Sequence, residues 1–542
     1  MKQGSLSILS PSNVRQKLRQ LLYASPLYQL TLKGRTPDRL RLTPPSFRIG
    51  NPEIGRRVIN GTFTLSHHQV KLDKDPWKSE LNDANQLADL HGFSWLTDLY
   101  AVGTVEAKER ACQLLCSWVE HNQKWQKYSW RPDILGERLA TWIYCHDFVS
   151  AENDHIRSIL LNMAMVQTRH LGRSCSQAPN DARFFKALQG LIFAAICLPG
   201  AEPLLDISLN LLNREISRQV LPDGGHIERN PSLALELLSR FNQIKALLLA
   251  AHIEIPIQLQ GATDRIPPMI RALRLGDGGL VQFNGGYEEE RILIDRILAD
   301  TGVSGKALTS APHSGFQRLA SGRTIIVIDT GKPVSLGRLN CHAGTLSFEM
   351  SVGKKRLVVN CGTPSSEGRN WFSAMRGTAA HSTLTVNGLD SSQFDNNGRL
   401  LKGPLVVESE RSEADGAVWL ETSHDGFLDR IGVIHRRKLY LDASGEDFRG
   451  EDIIKGSNGR EFTIRFHLHP SVHASQLQGR TSVLLKLSKG VGWKFQALGG
   501  KVCLNESIYL NGYDKPRRSN QIIVSGNIQG DLARIKWRFH TY

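Results

Sequence analysis

The sequence predicts an α+β protein of two domains, a helical N-terminal half and an antiparallel β-sandwich in the C-terminal half. The 542 residues are too many for one hydrophobic core. From Trp77 to about Leu275, apolar residues recur mostly at helical spacing, whereas short alternating stretches follow the glycine-rich turn at 276–279. We expect the helical domain to cover residues 1–305, with a short N-terminal extension, and the β-sandwich to cover residues 313–542.

The N-terminal extension carries a basic, amphipathic helical pattern from Val14 to Leu32, which Pro26 interrupts. Such a face commonly packs on its own domain, and the alternative is that it lies on a membrane surface. Residues 38–65 predict a loop and a short β-excursion. The first residues lack the uninterrupted apolar core of a secretory signal, so we expect a cytoplasmic protein, with periplasm or cell envelope as the alternative. We expect no transmembrane segment, because no apolar run reaches roughly twenty residues.

The helical half consists of predicted helices joined by short turns that contain Gly or Pro. The predicted helices are Leu87–Val102, Ala107–Asn122, Ile134–Ser150, Asp154–Leu171, Asp181–Leu198, Leu204–Val220, Pro231–Ala251, Pro267–Arg274 and Glu288–Asp300. Eight or more helices joined in this way favour hairpins wound into a bundle, a solenoid or a toroid. The lack of a fixed-period repeat argues against a regular solenoid.

The C-terminal half consists of short predicted strands separated by Gly, Asn and Asp turns, the pattern of an antiparallel sandwich. Its central meander comprises strands at 346–352, 357–359 and 384–386. The other predicted strands are Phe316–Leu319, Thr324–Ile328, Leu405–Glu410, Ala417–Ser423, Gly432–Tyr440, Glu461–Leu468, Ser482–Leu487, Gly492–Ala497, Lys501–Leu504, Gln521–Ser525 and Ala533–His540.

Two histidines lie at the ends of the central meander. His342 precedes its first strand and His381 precedes its third, so segments about forty residues apart can bring two imidazoles to one place. Imidazole serves as a general base, a general acid or a metal ligand. Spacing alone leaves open the alternative that both are ordinary histidines at strand ends.

The formal net charge of +15 would concentrate an anionic partner around the protein. On charge alone that partner is an acidic polysaccharide, a nucleic acid or an anionic membrane, and the alternative is a diffuse surface charge without function. Aromatic residues do not alternate with a basic stripe and no recognition motif is present, so we expect no specific nucleic acid. The eight cysteines form no CxxC pair, which argues against a disulfide framework and favours reduced thiols.

Three segments of the C-terminal half resemble the signature of the heparinase II/III-like polysaccharide lyases. They begin at His342 (HAGTLSFE), Asn360 (NCGT) and Thr378 (TAAHSTLTVNG), in the order and spacing of the family's pattern. In the N-terminal half, Trp77 followed by LADLHGFSWLTDL, the WRP run at Trp130, and PDGGHIERNP at 222–231 resemble further family segments. The resemblance covers most of the chain and implies an (α/α) toroid followed by a β-sandwich.

The resemblance implies β-elimination beside a uronate in an acidic polysaccharide or oligosaccharide. In that reaction the uronate carboxylate is neutralised, a base removes the C5 proton, and an acid protonates the departing glycosidic oxygen. His342 is the predicted base and Arg229 the predicted carboxylate clamp. The other predicted catalytic residues are His226 and Asn180, and the predicted substrate-binding residues are Trp77, Trp130 and Glu228.

Two positions depart from the family's pattern. In active relatives the DGGH-type segment continues into tyrosine and histidine, whereas Leu233 and Ala234 stand here, and leucine cannot transfer a proton. Asp181 stands where some relatives have histidine, and its carboxylate would repel a uronate. Candidates for a displaced proton donor are Tyr28, Tyr100, Tyr144 and Tyr287.

Two hypotheses follow from these residues. The first is a polysaccharide lyase, and the second is a catalytically silent carbohydrate-binding or envelope-related scaffold, which Leu233 favours. For His226 and Arg229, the alternative to a catalytic role is that they brace the turn before the next helix.

Some relatives hold a structural zinc in the β-domain through the histidine that matches His381, an aspartate and one further side chain. His381 is therefore the predicted metal residue, but Asn360 replaces the aspartate and is a poor zinc ligand. We expect no cofactor and no tightly held zinc unless another group completes the site. His467 and His469 share one face of a strand, where they either complete such a site or serve as cleft-lining and packing residues.

Overall fold

The computed structural model describes residues 11–334, 341–364, 369–396, 398–456, 458–477, 479, 481–487, 492–513 and 515–542. The first ten residues, and Leu339 and Asn340 at the start of the predicted meander region, lie outside the described residues. The chain forms two compact units, Met1–Ile216 with Arg240–Gln260, and Ser217–Ser239 with Gly261–Tyr542. The units therefore interleave along the chain, whereas the sequence predicts a single boundary between residues 305 and 313.

Helices dominate the chain up to residue 299. Within the described residues they are α1 (Pro11–Ala24), α2 (Pro26–Leu32), α3 (Pro52–Ile59), α4 (Ala84–Gly92), α5 (Leu96–Val102), α6 (Val105–Asn122), α7 (Pro132–Tyr144), α8 (His146–Ser150), α9 (Asp154–Ser174), α10 (Phe184–Cys197), α11 (Leu205–Gln219), α12 (Pro231–Ala250), α13 (Ile257–Ala272) and α14 (Arg291–Ala299). A short hairpin, β1 (Thr62–Leu65) and β2 (His68–Lys71), follows α3. Strand β1 lies within the loop and β-excursion predicted for residues 38–65, whereas α3 in the same range is helical and β2 lies beyond it.

The predicted helix at 87–102 is divided into α4 and α5 at Phe93. This residue has a left-handed backbone with φ of 62°, and its ring is buried in a cluster of indole rings. The ring centroid of Phe93 lies 4.8 Å from Trp95, 5.5 Å from Trp77 and 5.2 Å from Trp142. Burial of this aromatic cluster outweighs the cost of a left-handed non-glycine residue, which is why helical periodicity alone misses the break.

Helix α13 begins ten residues before its predicted start at Pro267. Pro267 and Pro268 lie inside the helix, although proline removes a backbone donor and normally ends or kinks one. Leu259, Ile266 and Met269 are buried along the same helix. Burial of this apolar face therefore stabilises a continuous helix across Pro267 and Pro268, although local preference would place both prolines at a helix start.

Antiparallel strands make up most of the chain after residue 309. They are β3 (Ser310–Ala311), β4 (Phe316–Ser321), β5 (Thr324–Asp329), β6 (Phe348–Val352), β7 (Lys355–Val359), β8 (Leu384–Val386), β9 (Gln393–Phe394), β10 (Leu400–Lys402), β11 (Val407–Ala414), β12 (Ala417–Phe427), β13 (Val433–Leu441), β14 (Asp447–Lys455), β15 (Glu461–Leu468), β16 (Val472–Gln476), β17 (Ser482–Leu487), β18 (Gly492–Leu498), β19 (Lys501–Tyr509), β20 (Arg517–Asn527) and β21 (Leu532–Thr541). Two short helices, α15 (Arg369–Arg376) and α16 (Leu428–Ile431), interrupt them.

Two sheets in the second unit pack face to face. One has the order β11-β12-β13-β14-β21-β18-β17-β16, and the other runs β19-β20-β15-β7-β6-β5-β4-β3 with β8 paired to β15. Their inner faces share one apolar core, in which Trp537 stacks on Phe348 at 5.8 Å and contacts Phe466 at 4.9 Å. The predicted fold class, a helical N-terminal region followed by an antiparallel β-sandwich, is confirmed.

Strand β14 is the longest strand that the sequence pattern does not predict. Two of its inner positions hold Gly450 and Asp452 instead of apolar residues, so the alternation is weak. Gly450 leaves room for the indole of Trp537, because a Cβ there would lie 2.0 Å from that ring. Asp452 is fully buried in a polar network, described below, that explains its place in an apolar core.

Candidate functional site

The two predicted histidines lie on loops that the second unit holds against each other. His342 lies in the loop before β6, and His381 lies between α15 and β8. Thr378 donates a hydrogen bond to the carbonyl of Ala343 at 2.8 Å, and Arg376 accepts one at its carbonyl from the backbone N–H of Ala343 at 2.8 Å. These bonds set the distance between the loops and bring the two imidazoles together.

The His342 and His381 rings form a directed hydrogen-bonded pair. Nδ1 of His342 lies 3.1 Å from Nε2 of His381, and Nδ1 of His381 lies 2.8 Å from the carbonyl oxygen of Gly377. Since a carbonyl only accepts, His381 carries its proton on Nδ1, and its bare Nε2 accepts from Nδ1–H of His342. The bond pattern therefore leaves Nε2 as the basic nitrogen of His342.

Both histidines are neutral near pH 7. Burial, followed by the nearby His381 and Arg376, holds the pKa of His342 well below its usual value. Burial lowers the pKa of His381 to about 4. A neutral imidazole with a free Nε2 lone pair is the form that accepts a proton.

Gly344 makes room for the His381 ring. A Cβ at this position would lie 2.8 Å from Cδ2 and 3.2 Å from Nε2 of His381, closer than real side-chain carbons approach. Any larger residue would therefore displace the ring from its hydrogen bond with His342.

Asn284 links the loop of His342 to the turn that holds Arg229. The side-chain oxygen of Asn284 accepts from the backbone N–H of His342 at 3.3 Å, and its amide nitrogen donates to the carbonyl of Arg229 at 3.2 Å. Asn230 donates in turn to the carbonyl of Asn284 at 2.9 Å. One side chain thus brings the predicted base and the predicted clamp into the same region of the second unit.

The guanidinium of Arg229 is buried and fully engaged. Nε donates to the carbonyl of Ser314 at 2.6 Å, Nη1 donates to the carbonyl of Lys332 at 3.1 Å, and Nη2 forms an ion pair with Asp329. Its backbone is left-handed with φ of 56°, and its charge lies 5.0 Å from the ring centroid of Phe316. Binding a substrate carboxylate would require Arg229 to leave Asp329 unpaired, which is costly inside a protein.

His226 is engaged within its own turn. Its Nδ1 accepts from the backbone N–H of Glu228 at 3.3 Å, and its Nε2 lies 3.1 Å from Oε1 of Gln219. An amide oxygen accepts only, so Nε2 carries the proton and donates it to Gln219. His226 and Glu228 are buried, and this arrangement matches the bracing alternative considered for the turn.

Two further positions named in the sequence analysis, Leu233 and Asn180, belong to different units. Leu233 is half-buried in the first turn of α12, where its N–H donates to the side chain of Asn230 at 3.1 Å. Asn180 is exposed in the first unit before α10, and its neighbour Asp181 forms an ion pair with Arg183 at 2.7 Å.

The two predicted substrate-binding tryptophans belong to the aromatic packing of the first unit. Trp130 is buried, and its Nε1–H donates to the carbonyl of Asn122 at 2.9 Å. Trp77 is half-buried and stacks on Phe93. Core packing therefore accounts for the Trp130 indole together with its N–H, and for the ring of Trp77, whose buried Nε1–H has no hydrogen-bond partner among the described residues.

A fully buried ion pair, Arg437 with Asp452, is hydrogen-bonded to both loops that carry the histidines. Nη1 of Arg437 donates to the carbonyls of Leu346 at 2.8 Å and Ser382 at 3.1 Å. Its Nε and Nη2 donate to the two carboxylate oxygens of Asp452 at 2.7 and 3.1 Å. Burial opposes ionisation of Asp452, but Arg437 and His435 hold its pKa below the usual value, so the pair is charged.

Glu349 is a second buried carboxylate next to the site. One of its oxygens accepts from the backbone N–H of Asn360 at 3.2 Å and of Gln282 at 3.3 Å, and Arg356 lies beside the other at 3.5 Å. Burial raises the pKa of Glu349 to about 7, against the opposing effect of Arg356. Glu349, on β6, thus connects the loop before α14, through Gln282, to β7, through Arg356.

The sequence does not predict Asn284, Arg376, Glu349 or Arg437 as site residues. For Glu349 a signal was available, because an acidic residue stands within the apolar strand pattern LSFEM. Asn284 lies in a loop with ordinary loop composition, so nothing in the local pattern points to its role.

The donor set around His381 does not fit zinc. Both ring nitrogens of His381 are hydrogen-bonded, and Oδ1 of Asn360 accepts from the backbone N–H of Ser382 at 2.9 Å. His467 bonds to Ser507 at 2.8 Å and to the carbonyl of Ala379 at 3.0 Å, while His469 bonds to Ser471 at 2.7 Å. Within the described part of the chain, no group of three or more His, Cys, Asp or Glu side chains is placed to hold a metal ion.

Comparisons with known proteins identify the family. The family model described as "Heparinase II/III-like, C-terminal" matches residues 303–538, and that described as "Heparinase II/III N-terminus" matches residues 60–265. The chain is also 30% identical over 541 residues to FtsZ-localized protein C of Caulobacter vibrioides, covering 95% of this chain and 92% of that protein. The chain belongs to the heparinase II/III-like family.

Solved structures of the heparinase II/III-like family share the fold. The crystal structure of heparinase III matches 99% of this chain and 92% of its own, with a TM-score of 0.74 and 14% identity. A heparan sulfate lyase from Pedobacter heparinus matches 98% of this chain and 89% of its own, with a TM-score of 0.63 and 16% identity. At this identity the likeness concerns the polysaccharide-lyase fold alone.

Among the described residues, no helix combines the length and hydropathy of a bilayer-spanning segment.

Proposed function

We propose that this heparinase II/III-like chain is an FtsZ-localized scaffold that works by binding and not by efficient glycan cleavage. The observation that carries the proposal is the full-length match, at 30% identity, to a protein named for its localization to FtsZ. The lyase structures share only 14–16% identity, a level that supports common architecture without common activity. The cytoplasmic location expected from the sequence belongs to the same proposal.

The chemistry of the site supports a binding role. Leu233 stands at the motif position where active relatives have a tyrosine, and it has no group that protonates a leaving oxygen. Arg229 is paired with Asp329, and both ring nitrogens of His226 are engaged inside their turn. For β-elimination these observations support a base at His342, whereas Leu233 supplies no acid and Arg229 is already paired with Asp329.

Localization tests the proposal directly. A fluorescent fusion of the full chain, expressed in its own bacterium with labelled FtsZ, is expected to coincide with FtsZ and to disperse when FtsZ is depleted. Purified chain is expected to co-sediment with FtsZ polymers, and His342→Ala is expected to do so equally well. A diffuse fusion beside intact FtsZ assemblies would contradict the proposal.

The second candidate is β-elimination on an acidic, uronate-containing polysaccharide or oligosaccharide, and the geometry of His342 favours it. Nε2 of neutral His342 would take the C5 proton of the uronate, the electron pair would form the C4–C5 double bond, and the C4–O bond would break. The departing oxygen must then take a proton from water or from another side chain, because Leu233 supplies none. Positioned proton transfer contributes roughly 10²–10⁴-fold, so activity without an acid would be weak.

The ultraviolet absorbance of the unsaturated uronate product measures this activity. Heparan, chondroitin, alginate and hyaluronan are the substrates, His342→Ala is the negative control, and Leu233→Tyr restores the motif hydroxyl. Turnover gained only with Leu233→Tyr and lost again with His342→Ala would establish a lyase site that lacks its acid. Robust native turnover that survives His342→Ala would exclude His342 as the base.

A further inference from the structure

The eight-stranded sheet of the second unit turns its outer face to solvent. On β13, Leu439 and Leu441 are buried in the apolar core that the two sheets share, whereas Tyr440 between them points to the other side. A groove with a volume of about 660 Å³ lies on this outer face. The outer groove is separate from the loops of His342 and His381, which precede strands of the other sheet.

Strand register arranges the side chains of the outer groove in rows. Residues paired across an antiparallel sheet share a face, so a row of such residues crosses five strands from β12 to β18. The first row consists of Trp419, Tyr440, Arg449, Arg538 and Gln496. The second row consists of Glu421, Lys438, Glu451, Lys536 and Leu498. Aromatic, cationic and acceptor side chains therefore share one surface.

Two aromatic rings of the first row are accessible to a ligand. Trp419 is 40% exposed, and its ring centroid lies 5.0 Å from that of the half-buried Tyr440. The guanidinium of Arg449 lies 5.5 Å from the ring centroid of Tyr440. Adjacent aromatic rings on a solvent-facing sheet indicate a binding surface, because such rings are normally buried. The C–H face of a pyranose ring is apolar and stacks on rings of this kind.

Hydrogen-bonding groups surround the aromatic pair. Nε and Nη2 of Arg538 donate to the carboxylate of Asp447 at 2.7 and 2.9 Å, and Arg449 pairs with the same carboxylate. Glu451 and Gln496 add acceptor oxygens in the adjoining row positions. Sugar hydroxyls both donate and accept hydrogen bonds, so they match a surface that holds donors and acceptors together.

The outer groove carries an excess of positive charge. Its lining contains four cationic side chains and one carboxylate, namely Lys438, Arg449, Lys536, Arg538 and Glu451. Asp447 and Glu421 lie beside these cations, but each is shared between two of them. Glu421 pairs with Lys438 at 2.8 Å and with Arg436 at 3.0 Å. The remaining positive charge attracts an anionic ligand.

We propose that the outer groove binds an acidic oligosaccharide, with a sugar ring stacked on Trp419 and Tyr440 and carboxylate groups facing Lys536 and Arg538. A single-stranded nucleic acid also stacks on aromatic rings in a positive groove. A phosphate only accepts hydrogen bonds, however, and would offer Glu451 no donor, whereas sugar hydroxyls supply donors. The inference goes beyond the proposed localization to FtsZ and requires no cleavage, because the groove contains none of the residues of the His342 site.

Calorimetric titration of the full chain with defined hexasaccharides tests the outer groove. Hexasaccharides of mannuronate, hyaluronan and chondroitin are the acidic probes. Mannohexaose is the neutral counterpart of the mannuronate probe, with a hydroxymethyl group in place of each carboxylate. At least one acidic hexasaccharide is expected to bind at least about tenfold more tightly than mannohexaose. Its binding is expected to weaken as the salt concentration rises.

Two double variants remove the two kinds of contact. Trp419→Ala with Tyr440→Ala is expected to weaken binding about tenfold or more, because the stacking surface is lost. Lys536→Gln with Arg538→Gln is expected to remove most of the preference for the acidic over the neutral hexasaccharide. Asp447 keeps its second arginine in this variant, and all four residues lie outside the core. Unfolding curves of both variants are therefore expected to resemble that of the native chain.

The control variants change an equally exposed indole and the histidine site. Trp371→Ala, 42% exposed on α15, and His342→Ala are each expected to bind the acidic hexasaccharide as the native chain does. No binding of any acidic hexasaccharide, or equal binding by the Trp419→Ala, Tyr440→Ala variant, would overturn the proposal. Binding that His342→Ala abolishes would assign the glycan to the His342 site instead. Polyuridylate that binds more tightly than every hexasaccharide, and loses binding in the same aromatic variant, would assign the groove to single-stranded nucleic acid.

Discussion

Nδ1 of His342 lies 3.1 Å from Nε2 of His381, and this hydrogen bond determines which nitrogen of His342 is basic. The carbonyl of Gly377 holds the His381 proton on Nδ1, so the pair has a single direction. The same logic orients histidines in other catalytic and metal sites, where a second group selects the tautomer. Here that group is a backbone carbonyl, and no carboxylate is needed.

We expect the stability contribution of His381 to disappear as the pH falls below about 6.5. Burial lowers the pKa of His381 to about 4 in the folded protein, whereas an unfolded histidine has a pKa of about 6.5. The unfolded chain therefore binds the proton first, and this one group removes about 1.4 kcal/mol of stability per pH unit between those values. Urea denaturation across that range is expected to show a shallower pH slope for His381→Gln.

Glu349 provides a control, because its contribution to stability changes with pH in the opposite direction to that of His381. Its folded pKa is raised to about 7, so its contribution is present at low pH and is lost as the pH rises from about 4.5 through 7. Glu349→Gln is therefore expected to steepen the acid-side loss that His381→Gln makes shallower. Equal slopes in all three proteins would contradict the buried, neutral state of His381.

Removal of Arg437 is expected to destabilise the second unit strongly. Arg437→Met would leave the buried carboxylate of Asp452 without its bidentate partner, at a cost of about 3–5 kcal/mol. Denaturant unfolding measures the loss, and the double variant Arg437→Met, Asp452→Leu is expected to recover part of it. A single variant as stable as the native chain would show that the pair does not hold the loops of Leu346 and Ser382.

Arg229→Met distinguishes a brace from a substrate clamp. Because Arg229 pairs with buried Asp329, its loss is expected to cost about 3–5 kcal/mol in unfolding free energy. Arg436→Met is the matched control: this arginine is half exposed and pairs with Glu421 at 3.0 Å, so we expect a change below about 1 kcal/mol. Unchanged stability with lost glycan binding in Arg229→Met would instead identify a clamp.

Chelation is expected to leave the melting temperature of the native chain unchanged. Asn360 supplies an amide in place of a carboxylate, and both nitrogens of His381 are engaged, so a tightly bound zinc would lack ligands. Thermal unfolding with and without EDTA, and after addition of Zn²⁺, measures the effect. A melting temperature that EDTA lowers and Zn²⁺ restores would show that other residues complete a site.

Several conclusions about this protein were available from the sequence alone. Helical periodicity followed by period-two alternation is a property of neighbouring residues, and it predicts the two structural classes. The motifs beginning at His342 and Thr378 predict the family, and their positions at strand ends predict that the two histidines meet. These inferences are possible because helical periodicity, strand alternation and short motifs are recognised from neighbouring residues. They do not require knowledge of which distant residues come into contact.

The tertiary structure decided what individual side chains do. Arg229 lies 100 residues from Asp329 in the chain, and only packing shows that its charge is already paired. Asn284 and Arg437 act on loops far away in sequence, so no local pattern identifies them. The same holds for α1, whose periodicity predicts an apolar face but not its direction. Tyr23 of α1 is buried against Trp125, whereas Leu18, Leu21 and Leu22 are exposed, because the orientation of a docked helix depends on which side its neighbours fill.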